Sequence, residues 1–395
     1  CRYYGQIFKK DIFYSKKKDS KLNENNILHL SYDYTPIDNV KNFSLICSKY
    51  ETIKIICDNF FTILKILALS IMSRKLFVSV IVIKYFIQFK KFEYKIKNFK
   101  KLKFALIDFD QLCPKELILA LQSNKIKTIA IQERPLASFM KNWGLILDEY
   151  FVSSDFFKRK IQSNRSFVIN KIFVIGPYRA EWINFFKKNK KKLEQKIQKK
   201  ISNYKKIIVI LGYTTERTAY DSNIEFLTNW NSHKAFLNDI IRLAKNFRNN
   251  LFILRFKNLE WTKNKKFMKE MIEIKNNKNI VLSSEYSKDR YVYHLLSRAD
   301  LIIAKYTSAV DEALSVGIPV IFHDYSSNIE RTIYGYSDYF KNYLFCHSYE
   351  ELLKNTKYFF SKSSSIKKKL KITNVKIHKH ENITSQFKIK NNLIN

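Results

Sequence analysis

The stretch of sequence that decides the fold covers residues 299–321 and reads ADLIIAKYTSAVDEALSVGIPVI. Its apolar run at 301–304 predicts a buried strand, and the hydroxyl-rich turn that follows leads into a predicted helix at 309–316. Gly317 stands where the end of a helix favours a left-handed residue. Because a further apolar strand is predicted at 320–322, the stretch forms a strand–helix–strand unit.

The turn between the first strand and the helix has the chemistry of a ligand site. Loops at the carboxyl ends of parallel strands border a ligand crevice, and a helix N-terminus attracts phosphate through its unpaired amides. Thr307 and Ser308 would add hydroxyl donors there, and Lys305 a positive charge. Glu312 would accept hydrogen bonds from sugar hydroxyls. The spacing leaves a second interpretation open, in which Ser308 and Asp311 only cap the helix and Glu312 only complements its dipole.

The same alternation of short apolar strands and helices extends to both sides of this unit. In the first half, strands are predicted at 104–108, 128–132, 150–153 and 172–175, with helices at 114–123 and from Asp155. In the second half, strands are predicted at 207–211, 251–256 and 280–282, with helices at 235–247 and 291–298. This pattern indicates βαβ units and mostly parallel sheets. The predicted fold class is therefore α/β, with two Rossmann-like, doubly wound domains facing a cleft.

The composition shifts along the chain predict the domain boundaries. Residues 1–100 form a polar N-terminal region followed by an apolar helix and strand of the first domain. Residues 101–186 form the first Rossmann-like half, and residues 206–360 the second. Between them, residues 187–205 predict one solvated connecting helix with an apolar residue at every fourth position. Residues 361–395 form a basic C-terminal tail with little pattern.

Residues 53–83 combine high apolar density with few charges. Residues 53–72 predict an amphipathic helix, because Lys54, Asp58 and Lys65 fall on one face. The β-branched run at 76–83 predicts a buried strand. No uncharged stretch approaches the ~18 residues that a membrane span needs. Two interpretations stay open: these segments pack into the core, or they form an apolar face for a bilayer surface.

The chain is strongly basic, with 72 Lys and Arg against 35 Asp and Glu, a net charge of +37. Clustered cations are typical of nucleic-acid binders. Here the lysines are spread along the whole chain, while Gly and Pro are scarce, which favours compositional drift of an AT-rich genome. The cations would also attract anionic lipid head groups. We therefore do not expect nucleic acid to be the partner.

Cysteines and histidines predict neither disulfides nor a metal site. The five cysteines are odd in number and scattered, without a CxxC pair, which favours a reducing compartment. The seven histidines are dispersed as well. At 395 residues, of which 46% are hydrophobic, the chain can bury a sizeable core without metals or disulfides.

Residues 285–355 resemble the C-terminal half of GT-B glycosyltransferases. They are most similar to the branch that contains CDP-glycerol glycerophosphotransferases and surface-polysaccharide transferases. The positions that match the pattern of this branch are Tyr306, Thr307, Ser308, Glu312, Gly317 and Pro319, with Thr307 in place of the commoner serine. The resemblance implies a GT-B-like fold in which Thr307 and Ser308 hold the donor's diphosphate. It also implies that Glu312 contacts the ribose or sugar, with Lys305 and Tyr306 in the same donor site.

Two more positions fit the donor side of this family. Gly212, after the first strand of the second half, stands where the family has a glycine near the donor. Arg255 resembles the arginine of the family's R-x-H-P element. Lys257 stands in place of its histidine and no proline follows, so the element is incomplete.

In the first half, the family's histidine base has no counterpart. Gln132-Glu133-Arg134-Pro135 takes the place of the His-Gly pair, so we nominate Glu133 as the catalytic base and Arg134 as an acceptor-side cation. Asp108 and Asp110 at another strand end are the competing carboxylates. Arg179 resembles the arginine of the G-x-x-R turn that closes the first half, and is the second acceptor-side candidate.

The resemblance implies a glycosyltransferase that needs neither metal nor cofactor. It would move a sugar from a nucleotide-activated donor to a surface-polysaccharide or lipid-linked glycan acceptor. Its place would be the cytoplasm, peripherally at the anionic inner face of the plasma membrane. The alternatives are a glycerophosphotransferase that uses CDP-glycerol, a sugar-nucleotide 2-epimerase, a basic nucleic-acid-binding protein and a non-catalytic relative.

Overall fold

The computed structural model describes the chain in twelve stretches and one single residue. They are residues 27–30, 47–97, 102–107, 113–132, 144–177, 179–189, 193–212, 230–256, 259–284, 291–305, 307, 309–323 and 345–361. The chain divides into two compact units, with the main boundary between Ile175 and Gly176. Each unit contains one parallel sheet, so the predicted α/β class is confirmed.

The first unit is built on five parallel strands in the order β1-β2-β3-β4-β5. The strands are β1 Ile27–Leu30, β2 Phe104–Ile107, β3 Lys127–Ile131, β4 Ile146–Val152 and β5 Val168–Val174. The helices are α1 Lys49–Asp58, α2 Phe60–Met72, α3 Leu76–Ile96, α4 Lys115–Ser123 and α5 Asp155–Gln162. The C-terminal part of α3 packs onto α4, where Phe92 and Ile96 join Leu117 and Leu121 in one apolar cluster.

The structure corrects the predictions for residues 53–83. Residues 76–83 are not a buried strand: they form the first turns of α3, and nearly all of them are exposed. The β-branched run favoured a strand, but the helix continues to Phe92 and Ile96, which pack at helical spacing in the core. The helix predicted at 53–72 is broken at Asn59, whose side-chain amide donates to the carbonyl of Ile55 over 2.8 Å.

None of the helices in the described residues is by itself long and apolar enough to cross a membrane. Only α1 and α2 taken together reach that length and composition, and they are bent by 64° relative to each other.

The second unit is built on six parallel strands in the order β11-β10-β9-β6-β7-β8. The strands are β6 Lys206–Leu211, β7 Asn250–Arg255, β8 Ile280–Leu282, β9 Leu301–Ala304, β10 Val320–His323 and β11 Phe345–Cys346. The helices are α6 Ala180–Lys188, α7 Gln195–Ile201, α8 Trp230–Asn246, α9 Met268–Asn276, α10 Tyr291–Leu296, α11 Ala309–Ser315 and α12 Tyr349–Ser361. From β6 the sheet grows in opposite directions through β7 and through β9, so its strand order reverses between β6 and β9.

The predicted connecting helix at 187–205 is wrong as a single element. The structure has two helices here, since α6 ends at Lys188 and α7 begins at Gln195. The break is fixed by Glu194, whose carboxylate accepts hydrogen bonds from the hydroxyl of Ser283 and the amide of Ser284. Leu193 and Ile197 are buried, so the predicted apolar face is packed and the segment is not fully solvated.

The predicted end of α11 is confirmed. Gly317 has φ +76°, and its amide donates to Leu314 while the amide of Ile318 donates to Ala313, each over 3.0 Å. This is the Schellman arrangement, in which a left-handed residue lets two amides reach back to the last carbonyls of the helix. The same arrangement ends α2 at Arg74 and α4 at Lys125, with φ +54° and +60°.

Candidate functional site

The switch point of the second sheet brings three predicted donor residues to one edge. Gly212 follows β6, Arg255 ends β7 and Lys305 follows β9, all at carboxyl ends of neighbouring strands. The amide of Lys305 donates to Leu211 over 3.1 Å, and the amide of Gly212 donates to Arg255 over 3.1 Å. In open parallel sheets, ligands bind at the carboxyl ends of strands where the order reverses. The geometry therefore favours a ligand site between β6 and β9.

Gly212 is required by close packing. A Cβ atom at this position would lie 1.8 Å from Cε1 of Phe256, a side chain that is fully buried. No other residue fits without displacing that ring.

Lys305 places a buried positive charge at the same edge. Its side chain is 7% exposed, and its ammonium group donates a hydrogen bond to the hydroxyl of Ser232 in the first turn of α8. It also lies 6.0 Å from the ring centroid of Phe236. Burying an ammonium group is costly. A lysine in this position is therefore a strong feature for binding an anion.

Two buried histidines surround this charge. Burial and, to a smaller extent, the charge of the nearby Lys305 together lower the pKa of His233 to about 3. Burial also lowers the pKa of His323, and Lys305 acts in the same direction, although the hydrogen bond to Asp239 opposes the shift. Both imidazoles are therefore neutral at pH 7, which leaves Lys305 as the cation of this cluster.

The pair of Asp239 and His323 was missed by the sequence analysis. Nε2 of His323 lies 3.0 Å from Oδ2 of Asp239, and both side chains are buried. The contact joins α8 to the end of β10, beside the ring of Phe236. The available signal was that His323 closes the apolar run of a strand, at the edge where ligands bind. Its partner lies 84 residues away in sequence, which no local pattern reveals.

Glu312 lies on α11, the helix that follows β9, and Thr307 lies in the turn that leads into it. Glu312 is on α11 and only 4% exposed, which is unusual for a carboxylate. Thr307 is half-buried, and its hydroxyl accepts a hydrogen bond from the amide of Ala309 over 3.4 Å at the start of the helix. Tyr306 and Ser308 lie outside the described residues.

The predicted acceptor-side residues are only partly described. Arg179 is half-buried and directly precedes α6. Glu133 and Arg134, and the competing Asp108 and Asp110, lie outside the described residues. Within the part of the chain that the structure describes, no three His, Cys, Asp or Glu side chains are placed to hold a metal ion.

Comparisons with known proteins give matches among solved structures alone, since no protein-family model and no curated protein matches the sequence. UDP-GlcNAc 2-epimerase from Neisseria meningitidis, bound to UDP-GlcNAc, matches with a TM-score of 0.52 and 15% identity, over 79% of this chain and 81% of that one. The Methanocaldococcus jannaschii UDP-GlcNAc 2-epimerase, in complex with UDP-GlcNAc and UDP, matches with a TM-score of 0.50 and 17% identity, over 78% and 81%. The wall teichoic acid polymerase TagF matches with a TM-score of 0.45 and 12% identity, over 79% of this chain and 73% of that one.

These similarities define the class of fold. The two UDP-GlcNAc 2-epimerases have the GT-B fold, and this chain likewise has two units, each with one Rossmann-like parallel sheet. The chain therefore has the GT-B fold, as the resemblance of residues 285–355 implied. At these identities the similarity shows the fold alone.

Proposed function

We propose that the chain is a glycosyltransferase that binds a nucleotide-activated sugar at the switch point of its second sheet. The observation that carries the proposal is the buried ammonium group of Lys305 at this edge of a GT-B fold. Glu312, a buried carboxylate, follows it on α11. Lys305 and Glu312 are close in sequence and suit two different parts of a sugar nucleotide. The cation suits the diphosphate, and the carboxylate suits the hydroxyl groups of the rings, from which it can accept hydrogen bonds.

Each donor-side residue has a distinct proposed task. Lys305 pairs with the diphosphate, and its burial strengthens this attraction because the local dielectric is low. Gly212 keeps the end of β6 packed on Phe256 beside the phosphates, and the hydroxyl of Thr307 donates a further hydrogen bond. Glu312 accepts a hydrogen bond from a ribose or sugar hydroxyl. Arg255, half-buried at the end of β7, adds a second cation to the same edge.

The proposed reaction is a displacement at the anomeric carbon of the donor. An acceptor hydroxyl forms the new glycosidic bond while the bond to the diphosphate breaks. The hydroxyl proton passes to a base, for which the sequence nominates Glu133, and negative charge develops on the leaving diphosphate. Lys305 stabilises that charge without a bound metal. Arg134 and Arg179 are the residues proposed to meet an acidic or lipid-linked glycan acceptor.

A sugar-nucleotide 2-epimerase is the second candidate. It is favoured by the two epimerases of the same fold that bind UDP-GlcNAc. An epimerase would use the same donor-side residues and need no acceptor. A glycerophosphotransferase would use CDP-glycerol and release CMP, while a nucleic-acid binder would owe its affinity to the net charge of +37.

The donor site is tested by a thermal-shift screen against UDP, CDP, GDP, CMP and their sugars. A ligand present at a hundredfold its Kd stabilises the folded state by about 2.7 kcal/mol, so one nucleotide is expected to raise the melting temperature. Glu312→Gln should abolish the shift. Asp300→Asn is the matched control, since Asp300 lies at the opposite end of β9 and accepts from the amide of Ile207. No shift with any nucleotide, together with salt-sensitive binding of DNA or RNA, would overturn the proposal.

The reaction is then identified from its products. A transferase releases the nucleotide diphosphate only when an acceptor glycan is added. An epimerase converts the sugar nucleotide alone, without release of free nucleotide, and a glycerophosphotransferase releases CMP from CDP-glycerol. Conversion without an acceptor would replace the transferase proposal by the epimerase.

A further inference from the structure

The helices α2 and α3 expose an extended apolar surface in the first unit. Of the 21 large apolar side chains that are exposed among the described residues, 13 lie between residues 60 and 85. They are Phe60, Phe61, Leu64, Leu69, Ile71, Met72, Leu76, Phe77, Val78, Val80, Ile81, Val82 and Tyr85. Single exposed apolar residues are normal, but a contiguous patch marks a binding surface. We call residues 60–85 the apolar hairpin.

The packing of the neighbouring residues explains why the hairpin is exposed. Only the C-terminal part of α3 joins the core, through Phe92 and Ile96. Lys95 in the same part pairs with Glu51 of α1 over 2.8 Å, and this hydrogen bond raises the pKa of Lys95 and lowers that of Glu51. Along α2, every residue of which the structure describes, none is buried. The core therefore anchors one end of α3 and leaves the hairpin uncovered.

The charges of this region have one sign. Residues 59–92 contain six basic residues and no acidic one. The basic residues are Lys65, Arg74, Lys75, Lys84, Lys90 and Lys91. Arg74 and Lys75 lie in the turn between α2 and α3, and Arg74 takes the left-handed conformation that glycine adopts at lower cost. Lys90 pairs with Glu93 over 2.9 Å, so the cations of the hairpin itself are Lys65, Arg74, Lys75 and Lys84. An apolar surface whose own charges are all positive is complementary to an anionic, apolar partner.

The length and composition of the two helices determine whether they can cross a bilayer or only lie on its surface. The 13 residues of α2 rise about 20 Å, short of the ~30 Å hydrocarbon core of a bilayer, and α3, although long enough, is not apolar enough to cross it. The hairpin is therefore suited to lie in the interface between head groups and acyl chains. A second copy of the chain would set its own four hairpin cations against these four, which opposes association.

We propose that the apolar hairpin is a docking surface for an anionic lipid bilayer. The exposed side chains of α2 and of the first half of α3 enter the boundary between head groups and acyl chains. Lys65, Arg74, Lys75 and Lys84 of the hairpin meet the lipid phosphates. This surface is independent of the donor site, so either proposal can fail without the other.

Vesicle flotation of the full chain tests this proposal, with phosphatidylcholine alone or mixed with phosphatidylglycerol. The test variant is Phe61→Glu with Phe77→Glu, at side chains 84% and 78% exposed. The matched control is Met268→Glu with Ile272→Glu, two side chains of α9 that are 58% and 53% exposed. Both pairs replace exposed apolar groups and change the net charge equally, so neither should unfold the chain.

The wild type and the control should float with the mixed vesicles, more weakly at high salt because charges are screened. The hairpin variant should bind at least about tenfold more weakly, because it loses two buried aromatic groups and gains two anions. Equal flotation of all three proteins would overturn the proposal. So would light scattering that shows a wild-type dimer which the hairpin variant dissociates, because the surface would then bind a second copy.

Discussion

The apolar hairpin and the carboxyl edge of the second sheet depart from ordinary burial in opposite directions. The hairpin exposes phenylalanine, leucine and valine side chains, whereas the sheet edge buries a lysine, a glutamate and an Asp–His pair. Most proteins bury the first group and expose the second. Neither arrangement adds to the stability of the isolated chain. Exposed apolar groups and buried charged groups occur chiefly at sites where a protein binds a partner. The difference indicates two partners, an apolar and anionic surface for the hairpin and a small anion for the edge.

The two sheets differ in a way that agrees with this assignment. The described strands of the first sheet follow one another in sequence order, without a reversal. The second sheet reverses between β6 and β9, and the buried ammonium group of Lys305 lies at that point. The donor site is therefore expected on the second unit.

The largest loss of unfolding free energy is expected from Gly212→Ala, which tests how tightly the carboxyl edge of the second sheet is packed. The new methyl group would collide with the buried ring of Phe256, and overpacking of this kind costs on the order of 1–3 kcal/mol. Urea denaturation measures the loss. Gly317→Ala is the control, since a Cβ there meets nothing within 4 Å and only the left-handed backbone is penalised. A loss at Gly212→Ala no larger than the loss at Gly317→Ala would contradict the close packing of Gly212 against Phe256.

Lowering the pH is expected to have an intermediate effect on the free energy of unfolding, through the buried histidines at the carboxyl edge of the second sheet. The pKa of His233 falls from 6.5 to about 3 on folding, so between these values the unfolded chain binds a proton that the folded chain does not. This contribution to stability is present above pH 6.5 and decreases as the pH falls towards 3. His233→Phe should flatten the decrease, because His233 already lies among Phe256, Trp261 and Phe267. Part of the decrease in stability should remain in this variant, because the pKa of His323 is lowered too. Urea midpoints between pH 7 and pH 4 that decline equally in both proteins would contradict the burial of His233.

The smallest effect is expected from Arg74→Gly, which separates charge from backbone strain at the tip of the hairpin. Glycine relieves the left-handed conformation, so the unfolding free energy should rise by about 0.5–1 kcal/mol. Lys125→Gly is the matched control, with the same conformation at the end of α4. Both variants should gain stability, and only Arg74→Gly should weaken binding to anionic vesicles. Equal vesicle binding by the two variants would remove the tip from the docking surface.

Much of the second sheet could be predicted from the sequence, because its strands are short apolar runs bounded by turn signals. The strands at 280–282 and 301–304 have the predicted bounds, and the stop at Gly317 is confirmed. Gly212, Arg255 and Lys305 could be assigned to one site from the sequence, because the carboxyl ends of parallel strands lie at the same edge of a sheet. Their order in the sheet was needed to place them at the switch point, and only the structure gives it.

The apolar hairpin and the buried pair could not be predicted from local patterns. At residues 76–83, β-branched side chains indicate a strand, while the packing of Phe92 and Ile96 far along the chain makes them the start of a helix. Exposure could not be read from the sequence either, since an apolar run is ordinarily buried. The contact of Asp239 with His323 depends on α8 crossing the end of β10, which sequence separation hides.

The central claim, that the carboxyl edge of the second sheet binds a nucleotide, is tested most directly by hydrogen–deuterium exchange with and without the nucleotide that the thermal-shift screen selects. The account predicts slower exchange of the amides at the end of β9 and along α11, and of Gly212 after β6, with no change along α2. Slower exchange confined to the first unit would contradict the claim, and so would unchanged exchange at α11 under saturating nucleotide.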